Sequence, residues 1–479
     1  MSDTVGLIIG GHTVSGEGPE IDVVDPSDGS IIGGVGTASE EQVDRAVTAG
    51  VKGLSSSGWA DSLPHERARV LSRIAAKIEG KADHLANLQM RENGKTFHES
   101  LVQARSAADY FRYYAAVCEV MEDVVPPSRG NYLTMSRHEP YGVVAALTPW
   151  NSPLTMGAQK IAPALAAGNA VVLKASETTS LVSLALGECC VDAGLSEGLI
   201  SVIAGKADIG RALVNHKDIS LVSFTGGTST GQFIAQDVAS RLVPLILELG
   251  GKSPHIVFAD ADIDAAARAV ASGIFGGAGQ SCVAGSRLFV EESVRELFIE
   301  RLVQIAGDMI VGPPMQDDTV IGPLSSFAHR ERVEGLVASA VAEGGQIIFG
   351  GKRPEGDIFD KGAYYLPTII DGLNNKSRLA QEEVFGPVLC VIPFGSEEEL
   401  VSEANDSVFG LAAGIWTSKY PRAWRIAKAL HAGTVWINCY KQLSITASFG
   451  GYKLSGLGRE KGIQGMRAYQ QVKSIYWGM

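Results

Sequence analysis

Two short runs, Leu247-Glu248-Leu249-Gly250-Gly251-Lys252 and Gly279-Gln280-Ser281-Cys282-Val283-Ala284-Gly285-Ser286-Arg287, decide how the chain is read. A glutamate followed by two glycines precedes a cysteine set among small residues, and Asp262 to Phe275 between them is predicted helical. A cysteine in a glycine-rich segment can be held exposed with backbone N–H groups around it. That supplies a nucleophile and an oxyanion site, and the glutamate supplies a base. Inert packing is the alternative for a cysteine beside glycine and alanine. The word Gly-Gln-Ser-Cys inside a long α/β chain favours the chemical reading.

Upstream of this stretch, strands and helices alternate. Val143 to Leu147, Ala170 to Leu173, Ile200 to Ile203 and Leu221 to Phe224 read as strands. Pro153 to Ala167, Leu181 to Ala193, Ala207 to Asn215 and Ser229 to Ala239 read as helices. Such alternation predicts a parallel sheet covered by helices, with ligands beyond the C-terminal strand ends. A second α/β unit is expected from Gly251, with strands at Ile256 to Phe258, Leu288 to Val290, Val388 to Ile392 and Ala412 to Trp416. Nearer the N-terminus, helices are predicted from Ser39, Pro64, Ala82 and Phe97. The aromatic stripe Tyr110, Phe111, Tyr113 and Tyr114 in the last of these reads as core packing.

The 479 residues exceed one ordinary core, so two or three domains are expected. Hydrophobic residues at 45% and charged residues at 20% are the mix of a globular protein. A net charge of −12 with no basic stripe argues against nucleic acid. Met1-Ser2-Asp3-Thr4 has no secretory pattern, and no apolar run is long enough to span a membrane. Cys118, Cys189, Cys190, Cys282, Cys390 and Cys439 lack metal-type spacing and read as free thiols in a reducing, cytoplasmic setting. The nine histidines form no ligand pair, so no metal site is expected.

Glu248-Leu249-Gly250-Gly251-Lys252-Ser253 and Gly279-Gln280-Ser281-Cys282 resemble the glutamate and cysteine motifs of the aldehyde dehydrogenase superfamily. The likeness runs from about residue 20 to the C-terminus, with further motifs in the family's order. It implies an α/β fold: a Rossmann-like cofactor domain (1–122 and 142–250), a second α/β catalytic domain (251–454) and a return segment (455–467). A small β oligomerisation element (123–141 and 468–479) completes it, pairing Arg129 to His138 with Val472 to Trp477 in a homodimer or homotetramer.

By resemblance Cys282 is the nucleophile, Glu248 the base for water, and Asn151 an oxyanion donor with the Cys282 N–H. Glu460 is a further carboxylate for proton relay. The same resemblance implies that NAD, with NADP possible, is held by Thr148, Pro149, Trp150, Lys174, Ser176, Glu177, Gly226, Gly227, Thr228, Gly231, Leu249, Glu383 and Phe385. Glu177 accepts ribose hydroxyls and repels a 2′-phosphate, which favours NAD. Gly227 replaces a serine usual in the family, and Ala175 a proline. The substrate, a small-molecule aldehyde, is expected among Ser152, Met156, Gln159, Ser281, Val283, Leu443 and Phe449, with no cation there marking a carboxylated substrate. Lys441 lies nearby with its direction open. An NADP-using semialdehyde dehydrogenase is the enzymatic alternative, and a catalytically silent protein on the same fold is the other.

Overall fold

The computed structural model describes residues 4–479; residues 1–3, part of the stretch read above for a leader, lie outside the described residues. Five parallel strands form the middle of the first sheet, in the order Ile200–Ile203, Ala170–Lys174, Val143–Leu147, Ile219–Thr225, Leu245–Glu248. Leu7–Ile9 and His12–Val14 extend one edge and Gly456–Leu457 the other, all antiparallel. Every residue of Val143–Leu147 and Ala170–Lys174 is buried, as a sheet covered on both faces requires. From Val143–Leu147 the chain builds outward in one direction, then returns to the other side at Ile219–Thr225. That reversal opens a crevice at the C-terminal ends of these two neighbours. Thr148-Pro149-Trp150-Asn151 and Gly226-Gly227-Thr228 start there.

Helices Pro64–Gly80, Ala82–Asn93, Phe97–Val120 and Pro153–Ala166 pack together beside this sheet. Thr96 and Glu99 form a capping box at the head of Phe97–Val120. Tyr110, Phe111 and Tyr114 are buried and Tyr113 sets its ring edge-on to Tyr114 at 5.0 Å, so the stripe is core packing as expected. Glu92, 1% exposed, accepts hydrogen bonds from the N–H groups of Leu181 (2.7 Å) and Val182 (2.9 Å). A carboxylate at that position satisfies two donors that the start of helix Ser180–Asp192 leaves unpaired.

The second sheet runs Gln346–Phe349, Thr368–Asp371, Val388–Phe394, Arg287–Glu291, Pro254–Val257, Ala412–Trp416, Thr434–Ile437, parallel except at its first pair. Sequence periodicity missed several short strands, among them Leu245–Glu248, Thr368–Asp371 and Thr434–Ile437. Four residues between turns carry too little pattern to separate a strand from a loop. Tyr132–Pro140 and Gln470–Gly478 pair antiparallel from Pro140 opposite Gln470 to Tyr132 opposite Gly478. The tail is thus the partner of the earlier strand, as expected, and it leaves Val472, Tyr476 and Trp477 exposed. Among the described residues, no helix is long and apolar enough to cross a membrane.

Glu92→Leu should lower the thermal midpoint measurably, because two buried N–H groups lose their acceptor at about 1–3 kcal/mol each. Differential scanning calorimetry of the pure variant checks this, and an unchanged midpoint would mean other groups satisfy those donors.

Candidate active site

The two sheets meet at a cavity of about 650 Å³. Its wall includes Pro149, Trp150, Asn151, Ser152, Met156, Gln159, Gly226, Gly227, Glu248, Leu249, Ser281, Cys282, Val283, Glu383, Phe385, Leu443 and Phe449. Residues from six separated stretches of sequence are therefore brought to one site.

Glu248 is the last residue of strand Leu245–Glu248 and is 4% exposed. Its carbonyl accepts a hydrogen bond from the Gly226 N–H at 3.0 Å, which ties the two strand ends together. Among the described residues, no group hydrogen-bonds to either carboxyl oxygen. Burial first, and the negative charge of Glu460 second, raise its pKa well above the carboxylate range, while Lys160, Arg459 and Lys461 oppose the shift. That environment moves a carboxyl toward the range of a general base.

Cys282 lies half-buried where a 3₁₀ turn, Gly276–Gly279, leads toward strand Arg287–Glu291. Burial pushes its thiol up to about 12, with the charges of Glu383 and Glu248 adding to the rise and Lys461 and Lys441 countering it. Asn151 follows strand Val143–Leu147, and its side-chain N–H donates to the Gln280 carbonyl at 2.9 Å. An amide nitrogen carries two hydrogens, so one remains for an oxyanion beside the cysteine. Asn93 Nδ2 donates to the carbonyls of Trp150 (3.2 Å) and Asn151 (3.4 Å), holding that turn in place.

Cys118, Cys189, Cys190 and Cys390 are buried away from this cavity. Cys439 is half-buried and is not part of the wall.

The remaining expected residues fall in three places. Thr228 begins helix Thr228–Ala239, whose N-cap Gly227 offers no side-chain acceptor to the first-turn N–H groups. An uncapped helix start at a sheet switch point fits a phosphate. The Thr228 hydroxyl accepts from the Gly250 N–H at 3.2 Å. Gly231 was expected at the phosphate, but it is a packing glycine: a Cβ there would stand 2.5 Å from Leu249 Cδ2. Lys174, Ser176 and Glu177 lie outside the cavity wall, at the end of the neighbouring strand Ala170–Lys174. Lys174 is buried and pairs with the exposed Glu177 at 3.6 Å. Thr148 is buried at the foot of the Asn151 turn, its N–H bonded to the Lys174 carbonyl at 3.3 Å.

The Glu383 loop closes the opposite side. Glu383 Oε1 accepts from the Gly251 N–H at 2.9 Å, and burial raises its pKa. Arg332 donates to the carbonyls of Glu383 (2.8 Å) and Val384 (2.7 Å). His329 Nε2 lies 2.8 Å from the Phe385 carbonyl. These bonds hold Phe385 at φ +56°, with its ring perpendicular to Trp150 at 5.2 Å. Backbone strain of this kind costs on the order of 1 kcal/mol and persists only where surroundings impose it.

Two expected residues are tied into a hydrogen-bond network behind the cavity. Gln159 is on the wall, but its amide is engaged: Tyr110 Oη donates to its oxygen at 2.7 Å, and its nitrogen donates to Glu460. Glu460 is not on the wall. It is 1% exposed, one hydrogen bond back from the cavity, and paired with Lys160 at 2.7 Å. The pocket also carries cations: Lys95, Lys441 and Lys461 line it, so Lys441 points inward. Sequence reading missed Lys95 and Lys461 because each looks like an ordinary charge beside a turn. Adjacency to Glu460 was the available signal for Lys461.

The family model for the aldehyde dehydrogenase family matches residues 13–475. The chain is 38% identical to aldehyde dehydrogenase family 2 member B4, mitochondrial, of Arabidopsis thaliana over 478 residues, covering 99% of this chain and 88% of that protein. It is 38% identical to betaine aldehyde dehydrogenase of Bacillus subtilis over 483 residues, covering 99% and 97%. The NAD+ complex of an aldehyde dehydrogenase from Bacillus cereus superimposes with a TM-score of 0.97 at 37% identity, covering 100% of this chain and 97% of that one. The chain belongs to the aldehyde dehydrogenase family, as an NAD(P)-dependent, non-CoA-acylating enzyme that oxidises an aldehyde to its carboxylic acid through a cysteine nucleophile.

Proposed function

We propose that Cys282 is that nucleophile, Glu248 the base of the hydrolytic half, and NAD the preferred cofactor. The observation that carries this is a buried carboxyl without a protein partner on the same cavity wall as a half-buried cysteine. NAD, when bound, accepts the hydride. The thiolate of Cys282 adds to the aldehyde carbon, and Asn151 with the Cys282 N–H stabilises the oxygen that becomes negative. Loss of hydride leaves a thioester on Cys282. Glu248 takes a proton from water as the water attacks the thioester carbon, the acid leaves with the Cys282 thiolate restored, and Glu248 then gives its proton to solvent. Glu460, reaching Glu248 by charge and Gln159 by a hydrogen bond, biases the protonation of Glu248.

For the cofactor, the start of helix Thr228–Ala239 takes the pyrophosphate with Gly226 and Gly227. Glu177 and Lys174 take the adenosine ribose, with Ser176 and Thr148 shaping that end. Glu383 takes the nicotinamide ribose, and Pro149, Trp150, Leu249 and Phe385 enclose the ring. Ser152, Met156, Ser281, Val283, Leu443 and Phe449 border the aldehyde. We divide the chain at 1–122 with 142–250, 251–454, 455–467, and 123–141 with 468–479. The pairing of Gly456–Leu457 onto the first sheet supports the return segment. Six unpaired cysteines accord with a reducing cytoplasm.

Glu248→Gln should keep a burst of about one NADH per site, seen by stopped-flow absorbance, while steady turnover falls about a hundredfold or more. Intact-mass analysis should then find the acyl adduct on Cys282. Unchanged steady turnover would assign the base elsewhere.

The exposed Glu177 carboxylate should make kcat/KM for NAD exceed that for NADP, and Glu177→Ala should narrow the gap. A wild-type preference for NADP would remove this role.

The exposed Val472, Tyr476 and Trp477 on the paired strands suit a symmetric interface between copies. Light scattering should give a homodimer or homotetramer at micromolar concentration, and Trp477→Glu should shift it toward monomer. A wild-type monomer would contradict the assignment.

A further inference from the structure

We propose that the aldehyde carries a carboxylate at its far end, held by Lys95 and Lys441 beside the loop that leads to Cys282. The inference rests on aldehyde oxidation at this cavity and adds the substrate class.

Lys95 follows helix Ala82–Asn93 and the Gly94 turn, and its N–H donates to Asn93 Oδ1 at 3.1 Å. The residue is 8% exposed, yet its side chain reaches the cavity. Its ammonium lies over Gly277, where an added Cβ would stand 2.8 Å from Nζ, and Gly277 has φ +64°. The loop therefore carries a residue without a side chain at the place the ammonium occupies. Lys441 comes from the opposite, C-terminal side. It is half-buried, lines the same cavity and is held at φ +55°, a conformation that a lysine adopts only under constraint. Burial first, and the charge of Lys95 second, push its pKa down to about 8; Glu99 and Cys282 act in the opposite direction.

Among the described residues, no carboxylate lies within ion-pair distance of Lys95 or Lys441, and no acceptor receives a hydrogen bond from either ammonium. Buried Lys160 and Lys174 differ in this respect, pairing with Glu460 and Glu177, whereas buried Lys252 and Lys461 share the lack of an ion-pair partner among the described residues. Glu99 is the one carboxylate on that stretch of wall, 3.7 Å from the same Gly277 position. One of its oxygens is engaged by the Thr96 N–H (3.2 Å) and hydroxyl (3.4 Å). Two cations against one carboxylate leave a single positive charge on this stretch of wall, which a ligand carrying one negative charge offsets. Lys461 is a separate group: its ammonium lies 4.8 Å from the centre of the Phe449 ring and acts on Cys282, Glu248 and Glu460. Val102, Trp150 and Leu443 on the wall suit the apolar chain between aldehyde and carboxylate.

The test compares kcat/KM, with NAD, for 4-oxobutanoate and 5-oxopentanoate against their methyl esters, and for 4-(trimethylammonio)butanal. At one or both lengths the carboxylate should exceed its ester by about tenfold or more, chiefly through KM, with the cationic aldehyde poorest. Lys95→Met and Lys441→Met should each lower the carboxylate-to-ester ratio by about tenfold, and Lys441→Arg should keep it. Ratios are read within one variant, so a general loss of activity does not mimic the effect. Esters or the cation oxidised as well as the carboxylates would overturn the proposal and leave aldehyde oxidation standing. Failure of every aldehyde would overturn both.

Discussion

The buried ion pair between Lys160 and Glu460, 2.7 Å apart with both side chains shielded from solvent, is the constraint on which the rest depends. Lys160 belongs to helix Pro153–Ala166, and Glu460 to the segment returning from the second sheet. Tyr110 and Gln159 extend the network on one side, Ser223 and Tyr469 on the other. Removing one partner of such a pair strands a charge in the interior, which typically costs about 3–5 kcal/mol. The pair thus fixes the return segment, and with it Gly456–Leu457 against Leu245–Glu248. Glu460 also exchanges backbone hydrogen bonds with Phe449 at 2.8 Å, which sets part of the cavity wall. Position and electrostatics have one origin here, because the carboxylate anchoring the segment also raises the pKa of Glu248.

Charge around Cys282 is balanced rather than uniform. Glu248 and Glu383 oppose formation of the thiolate, and Lys441 and Lys461 favour it. A buried thiol with a high pKa is protected from adventitious oxidation and alkylation, since the thiolate is the reactive form. Activation then follows whatever alters this balance, such as a ligand that covers a carboxylate or engages a lysine.

Much of the site was legible in sequence for a local reason. Gly250-Gly251 and Gly279-Gln280-Ser281-Cys282 are short words whose glycines permit close approach: a Cβ at Gly251 would stand 2.3 Å from the Cys282 carbonyl oxygen. Strands with continuous apolar runs, such as Val143–Leu147 and Ala170–Lys174 up to its final lysine, were legible because both faces are buried. What sequence did not show was which side chains meet across the cavity. Gln159 lines the pocket as read, but its bonds to Tyr110 and Glu460 were not visible in sequence. Lys95 carries no local signal, because the fold turns it onto Gly277, far along the chain. Short strands such as Thr368–Asp371 depend on neighbours distant in sequence, so no local pattern marks them.

The antiparallel pairing of Gly456–Leu457 with Leu245–Glu248 bears on biosynthesis. The five parallel strands are all made by residue 248, but the outer edge of the fifth stays open until position 456 leaves the ribosome. Throughout that interval the nascent chain presents an unpaired strand edge ending in a carboxyl that has no buried partner of its own. An edge of that kind can recruit other chains. The strand that seals it also brings Glu460, so the open edge and the immature site are removed in one late docking step.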